Sequence, residues 1–241
     1  ERLRNINSSL SDELYEVKKD EVEVVENHNT DETNTKGIGT LNYHFFWDDD
    51  TEKQSDCSQI ICHSKSQFKK QLDYIRDNNI FTLKMKELEL YIDGKIQLPR
   101  SVVITIDDGW RSKLGIEILN EYKLNGTLFL ITGDYYPKDY ESEYVELHSH
   151  TDKLHVGGKC PGGQGGGIKC LPRDEILNDL KTSREKLNGS TVFCYPFYEY
   201  NDYSIQMLKK AGFTMAFIGE SNNSDNLIHV GSDKFRLRRF V

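Results

Sequence analysis

No apolar run in this chain of 241 residues approaches the roughly 18 consecutive residues that a membrane-spanning helix needs. Basic residues are in deficit: 31 Lys and Arg stand against 39 Asp and Glu, for a net charge of −8. A chain so charged offers no positive field to a phosphate backbone, which excludes nucleic acid as the expected partner. Five prolines and 18 glycines exclude a collagen-like or low-complexity chain. Five cysteines are too few for a disulfide scaffold, and none stands in a CxxC or zinc-finger spacing. Cys57 and Cys62 are close in sequence, as are Cys160 and Cys170, while Cys194 stands apart. Two local disulfides in an oxidising compartment, or five reduced thiols in a cytosol, fit this equally well. What is present, 37% hydrophobic and 29% charged residues, describes a globular protein of one large or two small domains. The chain opens on Glu1 rather than Met and stops directly after an apolar-basic stretch. It therefore reads as a fragment, and its lack of a targeting signal carries no weight.

Residues 1–36 hold ten acidic and five basic residues, and 27–35 contain no apolar side chain. This segment reads as a solvated acidic linker or extension. From residue 37 to 241 strand and helix signals alternate. Strands are expected at 40–46, 101–106, 126–132, 192–195, 213–218 and 235–241, with a further candidate ending just before the histidines at 148–150. Helices are expected at 66–78, behind a capping serine, at 114–122, at 172–189 behind Pro172, and at 202–211 before Gly212. This βα order predicts an α/β fold with parallel strands, closed into a distorted, incomplete (β/α) barrel.

Parallel α/β folds place their sites at the carboxyl ends of strands. Strand 101–106 runs into Asp107-Asp108-Gly109-Trp110, where glycine permits a sharp turn after two carboxylates. A second segment carries His148, Ser149, His150, Thr151 and His155, three of the chain's seven histidines within eight residues. Two imidazoles and one carboxylate, with a coordination position left open, are the donor set of a catalytic zinc or similar ion. A third segment, Cys194-Tyr195-Pro196-Phe197-Tyr198, ends another strand. A fourth, Tyr43-His44, ends the first.

Together these segments resemble the polysaccharide deacetylases of carbohydrate esterase family 4. Thr105-Ile106-Asp107-Asp108-Gly109 is similar to the family's first motif, and Ser149-His150-Thr151 with His155 to its second. The five-residue histidine spacing, the early Tyr43-His44 and the terminal Arg236-Leu237-Arg238-Arg239 resemble the permuted subgroup of poly-N-acetylglucosamine deacetylases. The third motif departs from the family, because Cys194 stands where an arginine normally holds the catalytic aspartate. The fourth motif is not found.

The resemblance implies a hydrolase that removes N-acetyl groups from an N-acetylglucosamine-containing glycan, breaking a linear amide C–N bond. It implies one divalent metal, Zn2+ above others, on Asp108, His150 and His155. Asp107 is then the base, His44 the acid, with His229 as the competing candidate, and the Phe197 backbone N–H the oxyanion donor. Arg239 is the candidate substitute that orients Asp107. The histidine's pKa is expected above 6.5, raised by a neighbouring carboxylate. Trp110, Tyr195, Pro196 and Tyr198 are expected to contact sugar, and 157–167, with seven glycines, to form a loop beside the metal. A monomer acting outside the cell or at its envelope is the corresponding expectation. A catalytically inactive glycan-binding relative and a metal-dependent amidase on a small N-acyl substrate are the alternatives.

Overall fold

The computed structural model describes residues 37–57 and 61–241. The acidic segment 1–36 lies outside the described residues. The strands are β1 (Gly39–Tyr43), β2 (Phe45–Trp47), β3 (Cys62–Ser64), β4 (Phe81–Thr82), β5 (Ser101–Asp108), β6 (Gly126–Leu130), β7 (Val145–Ser149), β8 (Val192–Cys194) and β9 (Met215–Phe217). The helices are α1 (Lys65–Asp77), α2 (Met85–Ile92), α3 (Lys113–Tyr122), α4 (Arg173–Lys186) and α5 (Asp202–Ala211).

Seven strands form one sheet in the order β1-β5-β6-β7-β8-β9, with β4 beside the amino end of β5. Every pairing between named strands is parallel. The sheet curls until the C-terminal segment lies between its two edges. Leu237 bridges Phe217 of β9, and Phe240 bridges Leu41 of β1. The expected distorted, incomplete (β/α) barrel is thus the observed architecture.

The segment 235–241 is nevertheless not a strand. It keeps the alternation of one, since Leu237 and Arg239 are both buried, but it makes only isolated bridges. It crosses from one edge strand to the other and so cannot follow either ladder. Helix α2 escapes sequence reading for another reason. Six of its eight residues are buried, so its apolar face is too wide to show a period. It packs with Val103, Phe129, Val192 and Leu237 inside the barrel.

Local chemistry accounts for the other helix ends. Ser64 caps α1 in a capping box with Gln67, and Asn201 does the same for α5 with Ser204. Gly212 ends α5 at φ +90°, a conformation that glycine adopts without strain. Helices α1, α3, α4 and α5 pack outside the sheet, leaving the strands' carboxyl ends as the rim on which the candidate residues gather.

Candidate active site

At the end of β5 the strand alternation breaks. Asp107 follows Val103 and Thr105 into the barrel interior and is buried. Asp108 then takes φ +74° and Gly109 φ +118°. A side chain at Gly109 would run into Leu130 Cδ1 and the Tyr135 ring, each 2.8 Å away. The turn therefore keeps both carboxylates on one side of the chain.

The histidines hang from the end of β7. The His150 N–H donates to Leu130 O, and Thr151 turns the chain with φ +76°. Asp179 of α4 accepts the backbone N–H groups of Asp152 (2.9 Å) and Lys153 (2.6 Å), clamping the turn. Asp152 itself accepts from Thr132 Oγ1 and Lys186 Nζ. The result is convergence: His150 Nε2 lies 3.3 Å and His155 Nε2 3.4 Å from the same Asp108 Oδ1.

His150 Nδ1 lies 2.8 Å from Cys194 O. A carbonyl only accepts, so Nδ1 carries the hydrogen and Nε2 is directed at Asp108. Burial disfavours a charged His150 ring, yet Cys194 and Asp108 outweigh it and raise its pKa well above 6.5. The point between these side chains thus favours one positive charge, whether proton or cation. Burial and the His150 neighbour push His155 down to about 4, which leaves it neutral at pH 7. Asp108, His150 and His155 therefore fit a divalent cation: one carboxylate, two imidazole nitrogens, and a second partner fixing the His150 tautomer.

A second donor group, Asp107 with His150 and Cys194, is equally compact. A cation already serves its carboxylate. Arg239 Nη1 donates to Asp107 Oδ1 at 2.7 Å and Nη2 to Oδ2 at 2.8 Å. Arg239 Nη2 also donates to Cys194 Sγ, and Nη1 to Asn42 Oδ1. Burial alone would raise the Asp107 pKa, but the guanidinium holds it well below the usual carboxylate range. Burial pushes the Cys194 thiol up, so it stays protonated.

His44 Nε2 lies 3.8 Å from Asp107 Oδ2. The expectation that its pKa exceeds 6.5 does not hold. Burial lowers it by more than Asp107 and Asp108 raise it, and Arg239, which already pairs with Asp107, lowers it further. His229 lies elsewhere, half-buried, paired with Asp225 at 2.9 Å and packed beside Gly37 before the amino end of β1.

On the rim, Trp110 is exposed and meets the Phe45 ring edge-on. Phe197 (φ +57°) and Tyr198 (φ +60°) are consecutive left-handed residues. Such strain, on the order of 1–3 kcal/mol each, gathers at functional sites. The Phe197 ring lies 4.6 Å from that of His155, and its backbone N–H makes no hydrogen bond among the described residues. The Tyr198 hydroxyl accepts from Asn42 Nδ2 and sits 3.4 Å from His44 Nε2.

Tyr195 and Pro196 do not reach the rim. Tyr195 is fully buried between Phe193 and Tyr200, because it still follows the strand's packing face, and Pro196 is buried beside it. The expectation that they contact sugar is corrected accordingly. Both local cysteine pairs, Cys57–Cys62 and Cys160–Cys170, are bridged, and Cys194 is a buried free thiol. The glycine-rich loop lies against Phe197, held by Glu199, which accepts from the Gln164 and Gly166 N–H groups. Asn42, Asp179 and Glu199 were not singled out in the sequence. Each is an isolated polar residue whose partner is remote, and no local pattern marks it.

The polysaccharide deacetylase family model matches residues 95–216. The chain belongs to this family. It is 28% identical over 179 residues to a poly-beta-1,6-N-acetyl-D-glucosamine N-deacetylase of Staphylococcus aureus (strain MSSA476), an alignment covering 64% of this chain and 60% of that protein. Among solved structures it is similar to IcaB from Ammonifex degensii, with TM-score 0.70 and 21% identity over 86% of this chain and 93% of that one. It is also similar to a de-N-acetylase from Aggregatibacter actinomycetemcomitans, with TM-score 0.66 and 18% identity over 84% of this chain and 94% of that one. As a member of the polysaccharide deacetylase family, the chain departs from the third motif in a compensated way. The guanidinium missing at Cys194 reaches Asp107 from Arg239, 132 residues along the chain.

Proposed function

We propose that this chain is a metal-dependent N-deacetylase that hydrolyses the acetamido group of N-acetylglucosamine units in a glycan outside the cell or at its envelope. The observation that carries this reading is the convergence of Asp108, His150 and His155 on one point beside the buried Asp107–Arg239 pair. Two disulfides support an oxidising compartment. The named activity of the Staphylococcus aureus relative supports the substrate class.

Asp108, His150 and His155 would hold the ion, and zinc suits this nitrogen-oxygen set. A divalent ion there supplies Lewis-acid polarisation of the amide carbonyl and lowers the pKa of a water. Asp107, kept ionised by Arg239, accepts the proton of the attacking water. The Phe197 N–H donates to the oxygen that gains charge as the carbonyl carbon becomes tetrahedral. His44 gives its proton to the nitrogen as the C–N bond breaks, so acetate and a free amine leave. Tyr198, bonded to Asn42 and beside His44, fixes where that imidazole sits. Exposed Trp110 at the rim suits the apolar face of a sugar ring.

Asp107→Asn tests the base. Asparagine keeps the shape and cannot accept the proton, so kcat for acetate release from an N-acetylglucosamine oligomer falls by several orders of magnitude with KM little changed. Turnover within about tenfold of wild type would exclude Asp107 as the base.

A further inference from the structure

Beyond Tyr198 the rim continues into a groove of about 350 Å³ at the carboxyl end of β9, lined by Tyr198, Tyr200, Gly219, Glu220 and Arg238. Tyr198 is its shared wall. The hydroxyl of this residue is beside His44, while the base of its ring lies on Gly219, where an added Cβ would come within 3.0 Å of Tyr198 Cγ. The groove is therefore one tyrosine ring removed from the reacting centre, too far to hold the acetamido group being cut.

Three of its groups lack partners among the described residues. Arg238 is half-buried, and its guanidinium makes no ion pair or hydrogen bond there. The Tyr200 hydroxyl and the Glu220 carboxylate make none either. Arg238 differs in this from its neighbours, since Arg236 is paired with Asp202 and Asp233, and Arg239 with Asp107. A guanidinium without a counter-group offers its donors to the acceptors of a ligand in the groove. The aromatic surfaces point the same way. Tyr200 is flanked by Tyr195 and by the Arg236 guanidinium, and Tyr198 by Gly219 and by Arg239. These neighbours hold both rings in place, and the Tyr200 hydroxyl is left as a hydrogen-bonding group of the groove.

We infer that this groove binds the sugar unit next to the one being deacetylated, with Arg238 donating to the hydroxyl or acetamido oxygens of that neighbour. Glu220 at the mouth accepts from its hydroxyls. The inference rests on the N-deacetylase reading above and adds a requirement for chain length to it.

The test is acetate release by the metal-loaded full chain from N-acetylglucosamine and from its linear trisaccharide, for wild type and Arg238→Ala. Wild type prefers the trisaccharide, and Arg238→Ala lowers the trisaccharide-to-monosaccharide ratio of kcat/KM by about tenfold or more, through KM, as loss of hydrogen bonds from a charged group does. An unchanged ratio overturns the inference and leaves the deacetylase reading standing. No acetate from either compound with wild-type protein overturns both. Calorimetric binding of the trisaccharide to Asp107→Asn protein gives a readout without turnover. Adding Arg238→Ala there weakens binding by a similar factor, and equal affinity counts against the subsite.

Discussion

At the scale of single residues, the site turns on how one carboxylate is kept charged inside the barrel. Asp107 is buried, and its neighbour His44 is a weak counter-charge because burial lowers its pKa. Arg239 supplies the missing positive charge through two hydrogen bonds. Removing one member of such a buried pair typically costs about 3–5 kcal/mol, since the other is left unpaired. The lowered His44 pKa has a direct consequence. The ring releases its proton at a pH below 6.5, so its nuclear magnetic resonance titration in the metal-free protein has a midpoint under that value. An imidazole so tuned is a stronger proton donor but is protonated in a smaller fraction of molecules. His44→Ala is expected to reduce kcat by about 10²–10⁴-fold, and His229→Ala by no more than about threefold. The reverse ranking in acetate release would assign the proton donor to His229. Asp107, Asp108, His150 and His155 were legible in the sequence because the chemistry concentrates those residue types in two short stretches. The burial that lowers the His44 pKa was not, because it depends on Arg239 and on the closed barrel.

At the scale of elements, the ends of β5 and β7 carry the reactive side chains, and their neighbours hold them. The clamp of α4 on the histidine turn is the clearest case. Asp179→Ala leaves the Asp152 and Lys153 N–H groups without their acceptor, at a cost of about 1–3 kcal/mol. The turn that spaces His150 from His155 then loosens. Metal affinity, read by competition with a chromophoric chelator, is expected to fall about 10–100-fold, as for other groups that orient ligands. Undiminished affinity would make Asp179 a merely structural residue. Most elements could be read from the sequence where caps and period agree: α5 begins and ends where Asn201 and Gly212 put it. The reading failed where tertiary context decides. Helix α2 is buried over too much of its surface to show a period, and 235–241 alternates like a strand while bridging two edges. Tyr195 looked like a rim aromatic but packs with the core.

At the scale of the whole molecule, barrel closure assembles the site. The family match at 95–216 contains Asp107, Asp108, His150, His155 and Cys194, but neither His44 nor Arg239. His44 arrives from the end of β1 at one sheet edge. Arg239 arrives from the segment that joins that edge to β9. The order of motifs along the chain is therefore free to change so long as the edges meet, which is why the terminal arginines were readable only by resemblance, while Tyr43-His44 was also marked by its place at the end of the first strand. The central claim, that Asp108, His150 and His155 hold one divalent ion on which N-deacetylation depends, is tested most directly by measuring bound metal and acetate release on the same preparations of wild type and His155→Ala. The account predicts one equivalent of metal in wild type, activity lost on chelation and restored by zinc, and loss of both metal and turnover in His155→Ala. Full occupancy and turnover in His155→Ala, or acetate release from metal-stripped wild type, would contradict it.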